Sequence, residues 1–351
     1  MSGVRARAVA LACLLLILFL IFLRASPVAQ PSPAPEVSGA IEVRFTRPVT
    51  DGPRSLRGGP DAALAEAIDR AGRSVDMAIY DLDLWSLRDA LLGAEARGVR
   101  VRLVVEADNL GSPEIYDLIA AGIPVVADGW EPLMHDKFTV IDGREVWTGS
   151  MNYTVRDAYF NDNNLLRLIS SSLAQAYTDE FDEMFQDGAF GAFSPSGVGQ
   201  RARLSDGSEV EVYFAPDDRP LEKLLALVGG ARQRVEFAAF SFTSADLAAA
   251  LLQKDAQGLA VRGVIESGQA ANLGSQWDVL RDAGLDVRLD GNPDNMHHKL
   301  IVIDAATVVT GSYNFSRSAE EFNDENLVVI HSPELARRFL EEFDRVYAAA
   351  D

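Results

Sequence analysis

Cysteine is almost absent from this 351-residue chain, Cys13 being the only one. An intramolecular disulfide framework is therefore excluded, as is a zinc site built on thiolates. Histidine is scarce, with four in the whole sequence. Basic residues are outnumbered, 32 Lys and Arg against 52 Asp and Glu, for a formal net charge of −20. Three of the arginines (Arg5, Arg7, Arg24) fall within the first 40 positions, so the rest of the chain is more acidic still. Such a body repels polyanions at long range, which disfavours tight nonspecific nucleic-acid binding. An apolar content of 48% with 24% charged residues is that of a globular protein, with length for one large or two ordinary domains.

The apolar run from Ala8 to Leu23 follows a short basic head and stops at Arg24. It is long for the core of a signal peptide and short of the roughly 20 residues of a full membrane span. Cys13 lies inside it and reads as a small hydrophobe. No A-x-A cleavage site follows. The positive-inside rule keeps the basic head in the cytoplasm and sends the rest across. Residues 1–40 are thus expected to be a membrane anchor or signal segment ending in a Pro/Ala-rich tether, SPVAQPSPAPEVSGA. The body is expected to be exported, either anchored or secreted.

What the chain does have is a repeat. Residues 134–154, MHDKFTVIDGREVWTGSMNYT, and 296–316, MHHKLIVIDAATVVTGSYNFS, are identical at 11 of 21 positions. The likeness extends outward: 74–109 aligns with 234–269, AGIPVV with AGLDVR, and FNDNNL with FNDENL. Each half reads as strand, helix, strand, helix, strand, hairpin, strand, helix. A period near 160 residues is too long for a solenoid and indicates a duplicated α/β domain, its copies packed about a pseudo-twofold axis. The expected boundaries are 41–187 for the first domain, 188–207 for a Gly/Ser/Pro-rich linker and 208–351 for the second.

Each hairpin turns at Asp142–Gly143 or its counterpart. Strand alternation puts His135 and Lys137 on one face, with Ser150 and Asn152 sharing a face at the end of the return strand. His297, Lys299, Ser312 and Asn314 repeat the pattern. Asp142 and Asp304, at the turns, suit a structural role, bonding turn backbone groups. In-line displacement at phosphorus needs a nucleophile and a proton donor on opposite sides. Two hairpins meeting at an interface supply one histidine to each side, with lysines and asparagines between them for the equatorial oxygens.

These paired HxKxxxxD…GSxN motifs resemble the phospholipase D superfamily over nearly everything after residue 40. The resemblance implies a duplicated α-β-α sandwich with the active site at the interface of two pseudo-twofold-related halves. It also implies a covalent phosphohistidine, with His135 as nucleophile, His297 as general acid, and Lys137, Lys299, Asn152 and Asn314 binding phosphate. His298 lacks the x-Lys spacing and should face away from His297. His331 belongs to no motif and reads as a surface residue. Glu325 falls where the family places a carboxylate against the imidazole, 28 residues after His297, and Asn163 is its first-half counterpart. The expectation is that Glu325 keeps His297 protonated while Asn163 orients a neutral His135, with Asp162 facing away.

No cofactor or metal is expected, and two internal motifs let a monomer function. The favoured substrate is a phospholipid head-group ester. The alternative is an exported endonuclease, since the second motif resembles the nuclease and cardiolipin-hydrolase-like branch. Phosphatidyl transfer, as in cardiolipin synthases, and a non-enzymatic scaffold are more distant. Trp130, Trp147, Tyr153, Tyr313 and Phe315 could stack bases, touch acyl chains or lie in the core.

Overall fold

The computed structural model describes residues 41–48, 56–129, 132–191 and 199–351. The N-terminal apolar run, the tether and Trp130 lie outside the described residues. Among the described residues no helix is long and apolar enough to cross a membrane.

Each half builds one sheet. The first contains β1 (Ile41–Phe45), β2 (Ser74–Ile79), β3 (Arg100–Val105), β4 (Val125–Ala127), β5 (Lys137–Ile141), β6 (Glu145–Gly149) and β7 (Asn164–Ile169), in the order β1-β7-β6-β5-β2-β3-β4. The second contains β8 (Gln200–Arg203), β9 (Glu209–Ala215), β10 (Arg234–Ala239), β11 (Ala260–Ile265), β12 (Asp286–Leu289), β13 (Lys299–Ile303), β14 (Thr307–Gly311) and β15 (Glu325–His331). Its order is β12-β11-β10-β13-β14-β15-β9-β8. In both, two parallel crossovers (β2-β3-β4 and β10-β11-β12) adjoin the antiparallel motif hairpin. Strand β8 occupies part of the stretch expected to be linker, because residues 200–203 pair antiparallel with β9 and close the sheet edge.

The central strands are buried on both faces, so they show little polar/apolar alternation. Between the sheets runs a core shared by the halves. Phe138 and Val140 meet Leu300 and Val302 there, together with Tyr177, Phe181, Phe339 and Phe343 from the helices Ser171–Asp182 and Pro333–Ala349. The second of these helices starts cleanly: Ser332 Oγ accepts from the Leu335 amide and Pro333 takes the first turn. Outer helices cover the far faces, Pro60–Asp69, Trp85–Ala96 and Pro113–Ala120 on one sheet and Pro220–Gly230 and Ala245–Ala256 on the other. Trp147, Tyr153, Tyr313 and Phe315 are core residues of these outer layers, so none of the four faces a substrate.

The halves are joined where the motifs begin. Met134 bridges Asp324, and Met296 bridges Asp162. The His135 amide donates to Asp324 O at 3.0 Å, and the His297 amide to Asp162 O at 2.9 Å. Within each half the return strand closes up on the last strand because Gly149 and Gly311 have no side chain. A Cβ there would sit 2.4 Å from Asn164 O and 2.2 Å from Asn326 O, at φ of +149° and +136°.

Asp142 and Gly143 have φ of +55° and +64°, and Asp304 and Ala305 both +52°, the signature of type I′ turns. The aspartates bond neighbouring loops rather than their own turns. Asp142 accepts from the amides of Gly72, Arg73 and Ser74, and Asp304 from those of Arg232, Gln233 and Arg234. The reason is adjacency, since β2 lies beside β5 and β10 beside β13. Partial burial alone would raise both carboxyls, but the backbone donors outweigh it and hold them below their usual value.

Removing either staple, by Asp142→Ala or Asp304→Ala, should lower stability by about 1–3 kcal/mol in urea unfolding. Ala305→Gly should raise it by about 0.5–1 kcal/mol, because relief of the left-handed alanine exceeds the added unfolded-state entropy.

Candidate active site

The cross-half bridges bring the two hairpins face to face. His135, His297, Lys137 and Lys299 are all buried, at 8%, 6%, 0% and 1% exposure. Lys137 Nζ donates to His135 O at 2.6 Å, and Lys299 Nζ to His297 O at 3.0 Å. Each histidine ring rests edge-on against an aromatic ring from the opening strand's end. Tyr80 meets His135 at 4.9 Å between centroids and Phe240 meets His297 at 4.5 Å. The same two rings lie beneath the ammonium groups, at 5.0 and 4.8 Å.

The expected pairing of histidines with their partners is overturned. His135 Nδ1, not His297, lies against Glu325, 2.8 Å from Oε2. The two atoms lie this close without hydrogen-bond alignment. His297 Nδ1 instead meets Asn163 Oδ1 at 2.9 Å, with Asp157 Oδ2 further out at 3.7 Å. The cause is the backbone bridge: each motif's lead-in pairs with the residue just before the other half's last strand. Residues 163 and 325 therefore reach across the interface. Asp162 does face away, bonding Asn292 and Arg345.

Ser150 Oγ donates to Asn163 Oδ1 at 2.9 Å and accepts from the Asn164 amide. Ser312 Oγ accepts from the Asn326 amide. The motif serines thus hold the strands that carry residues 163 and 325. Asn152 and Asn314, at matching places, each have a buried side-chain oxygen with no partner among the described residues. His298 points into the shared core, bonded to Asn164 and Glu342. His331 is half-exposed and is not partnerless: it bonds Glu211 and Thr307.

Burial is the largest influence on the two motif histidines, the two motif lysines and Glu325. It drives both imidazoles well below their usual value, and the neighbouring ammonium groups push the same way. It lowers Lys137 to about 8 against the opposing pull of Glu325, Asp157 and Asp136. Lys299 falls to about 7 through burial and then Lys137. Glu325 rises to about 7 by burial, despite both lysines. Lys299 Nζ lies 3.1 Å from His297 Nε2, so in the free site that nitrogen carries a lone pair. Neutral imidazoles and two marginal ammonium groups make a site that an added negative charge would stabilise.

Several contributors carried no clear sequence signal. Glu106 and Glu266 accept from the amides of Met134 and Met296, fixing the residue ahead of each histidine at 2.8 and 2.7 Å. Both are raised to about 7, by burial first and then by Asp128 and Asp290. Their aligned places in the repeat were the available clue, as for Tyr80 and Phe240.

A family profile described as cardiolipin synthase, PLD-like domain, matches the chain twice, at 64–185 and 224–347. The human protein named mitochondrial cardiolipin hydrolase is 37% identical over 127 residues, 36% of this chain and 50% of that protein. The Chlamydomonas reinhardtii protein of the same name is 33% identical over 127 residues, 36% of this chain and 57% of the relative. The chain thus spans little more than half the length of these relatives. The phosphatidylserine synthase structure from Haemophilus influenzae Rd KW20 covers 83% of this chain and 84% of its own, at 12% identity and a TM-score of 0.64, and so shares the fold.

Sulfate keeps its charge between pH 6 and 9, so its binding isolates the protein's own titration. Because both lysine values are lowered, their charge is lost as pH rises through about 7 and 8. Calorimetry should show sulfate affinity falling at least tenfold from pH 6.5 to 9, with Lys299→Ala weak throughout.

Proposed function

As this chain belongs to the phospholipase D superfamily, matching its cardiolipin synthase, PLD-like domain family, we propose that it is a phosphodiesterase acting through a covalent phosphohistidine, with a phospholipid head-group ester as substrate. The reading rests on one observation above others: two histidine–lysine pairs, one from each half, converge with each imidazole braced by a residue of the opposite half.

His135 Nε2 attacks phosphorus, and the bond from phosphorus to the leaving oxygen breaks as His297 delivers its proton there. Water then attacks the phosphohistidine, His297 takes a proton from it, and the P–N bond breaks to restore His135. Lys137, Lys299, Asn152 and Asn314 hold the non-bridging oxygens. The anionic substrate raises the histidine and lysine values, which supplies His297 with the proton it lacks in the free site.

The observed partners support His135 as the nucleophile on different grounds from the sequence-based argument. Positive charge builds on the attacking ring and persists in the intermediate, and Glu325 beside Nδ1 stabilises it. Asn163 adds no charge to His297 and the Asp157 carboxylate stands further off at 3.7 Å, so His297 gives up its proton more readily. Lipid is favoured over nucleic acid by the net charge of −20 and by the names of the similar proteins.

Head-group release from mixed phospholipid vesicles, assayed beside cleavage of single-stranded DNA, tests the substrate class. Lipid turnover that disappears in His135→Ala is expected, and DNA cleavage alone would make this an exported-type nuclease instead. A nitrophenyl phosphodiester tests the roles, since its leaving group needs no proton. His297→Ala should then release a burst of one nitrophenolate per chain and retain phosphate, whereas His135→Ala should release none. The opposite pattern would exchange the two assignments. Glu325→Gln should lower turnover by about 10²-fold.

A further inference from the structure

The loops that leave the two sheets beside the motif lysines carry a repeat of their own. Asn-Leu-Gly-Ser occurs at 109–112 and again at 272–275. Each copy lies in the loop that follows a parallel strand, β3 or β11, a few residues beyond Glu106 or Glu266. The end of β3 pairs with the end of β2, where Ile79 also pairs with Lys137. The end of β11 pairs with the end of β10, where Ala239 also pairs with Lys299. Both loops therefore leave their sheets at the end where the lysines stand. Asn109 Nδ2 ties the first loop there by donating to Tyr80 O at 2.8 Å. The Gln276 amide ties the second by donating to Phe242 O at 2.9 Å.

The repeated leucines stand out of the core. Leu110 is 39% exposed and Leu273 is fully exposed. Two exposed aromatic residues adjoin the first loop, Trp85 at 68% and Tyr116 at 70%. Trp85 Nε1 donates to Glu114 Oε1 at 2.9 Å, and the Tyr116 amide donates to Ser112 O at 3.0 Å, so both belong to the same corner of the molecule. A single exposed apolar residue is ordinary. The same leucine exposed in a loop of each half, with a tryptophan and a tyrosine beside one of them, marks a contact surface.

We propose that these two loops dock the protein on the surface of a phospholipid bilayer, with Leu110 and Leu273 entering the acyl boundary and Trp85 and Tyr116 lying at head-group level. This rests on the phospholipid reading above. The motif histidines are buried, so a phosphodiester that stays in its bilayer reaches them only if the protein around them comes down to the head groups. The leucines supply apolar area for that descent. The two aromatic residues supply rings with an apolar body and a polar tip, the form that suits a membrane interface. Charge does not hold the protein there, because a chain of net charge −20 is repelled by an anionic surface. The docking is therefore apolar, operates on zwitterionic lipid and is insensitive to salt.

The test uses the full chain carrying Cys13→Ser, so that a nitroxide can be attached at one introduced cysteine: Leu110→Cys, Leu273→Cys or Asp255→Cys. Asp255 is exposed near the end of helix Ala245–Ala256 that lies away from the lysines. On addition of phosphatidylcholine vesicles, the labels at 110 and 273 should gain contact with oxygen and lose contact with a water-soluble nickel chelate, in low and high salt alike. The label at 255 should not change. Each label reports its own surroundings, so the result does not depend on the N-terminal apolar run. In parallel, Leu110→Asp with Leu273→Asp should lower turnover of vesicle phospholipid by about tenfold or more and leave turnover of the nitrophenyl phosphodiester unchanged. Labels at 110 and 273 that stay in water overturn the proposal, as does vesicle turnover unchanged in the doubly substituted chain. Labels that enter the bilayer of a parent chain that hydrolyses no phospholipid would support the docking and overturn the substrate reading instead.

Discussion

Two ammonium groups withdrawn from water within Coulombic reach of each other set the terms for the rest of this structure. Lys137 and Lys299 repel, and burial has stripped both of the solvent that would ordinarily hold their charge. The protein answers with carboxylates placed one step behind them: Glu325, Asp157, Asp136, Asp81 and Glu266. Those acids are themselves dehydrated, so compensation is incomplete and several groups hover near neutrality. Under the proposed function, a site in this condition favours an incoming tetrahedral anion, because that anion satisfies both cations at once. It also explains why two sheets enclose the motifs. A single sheet would leave the lysines wet, their values ordinary and the imidazoles without opposing walls.

Much of this was legible in the sequence because it is local. Strand alternation fixes which hairpin side chains face together, and the Asp-Gly turn fixes where the hairpin reverses, so His135, Lys137, Ser150 and Asn152 could be placed without a structure. The duplication was legible as well, since the repeat carries the order of elements. What could not be read is whatever depends on contact between the halves. Glu325 was assigned to the nearer histidine in sequence, but a backbone bridge between residues 134 and 324 hands it to the other. Glu106 and Glu266 look like ordinary strand-end acids until their oxygens are seen on the Met134 and Met296 amides. Trp147, Tyr153, Tyr313 and Phe315 looked available for ligands, and only packing places them in the outer layers. Strand β8 escaped notice because a four-residue edge strand in a Gly/Ser-rich stretch has too few residues to show a period.

The two copies have diverged unevenly, and the pattern separates geometry from electrostatics. Positions that aim the site are the same in both halves: histidine, lysine, turn aspartate, glycine, serine, asparagine. Positions that set charge around them differ. Glu325 answers Asn163, Tyr80 answers Phe240, His298 answers Asp136, and Arg345 answers Glu183. A backbone constraint such as the close approach at Gly149 and Gly311 tolerates no substitution on either side. A buried charge can be exchanged so long as its surroundings are exchanged with it.

The crossed braces on the imidazoles make the site directional. A perfect twofold would treat both substituents of a phosphodiester alike and let either one depart. With a carboxylate behind one ring and an amide behind the other, the two entrances to the phosphate become inequivalent. Under the proposed phosphohistidine mechanism, one arm of the substrate would be retained on the enzyme while the other leaves, so which arm lies on which side would decide what the products are. A scaffold built from two like halves thereby acquires a sense of orientation, chiefly from the glutamate-for-asparagine difference at 325 and 163.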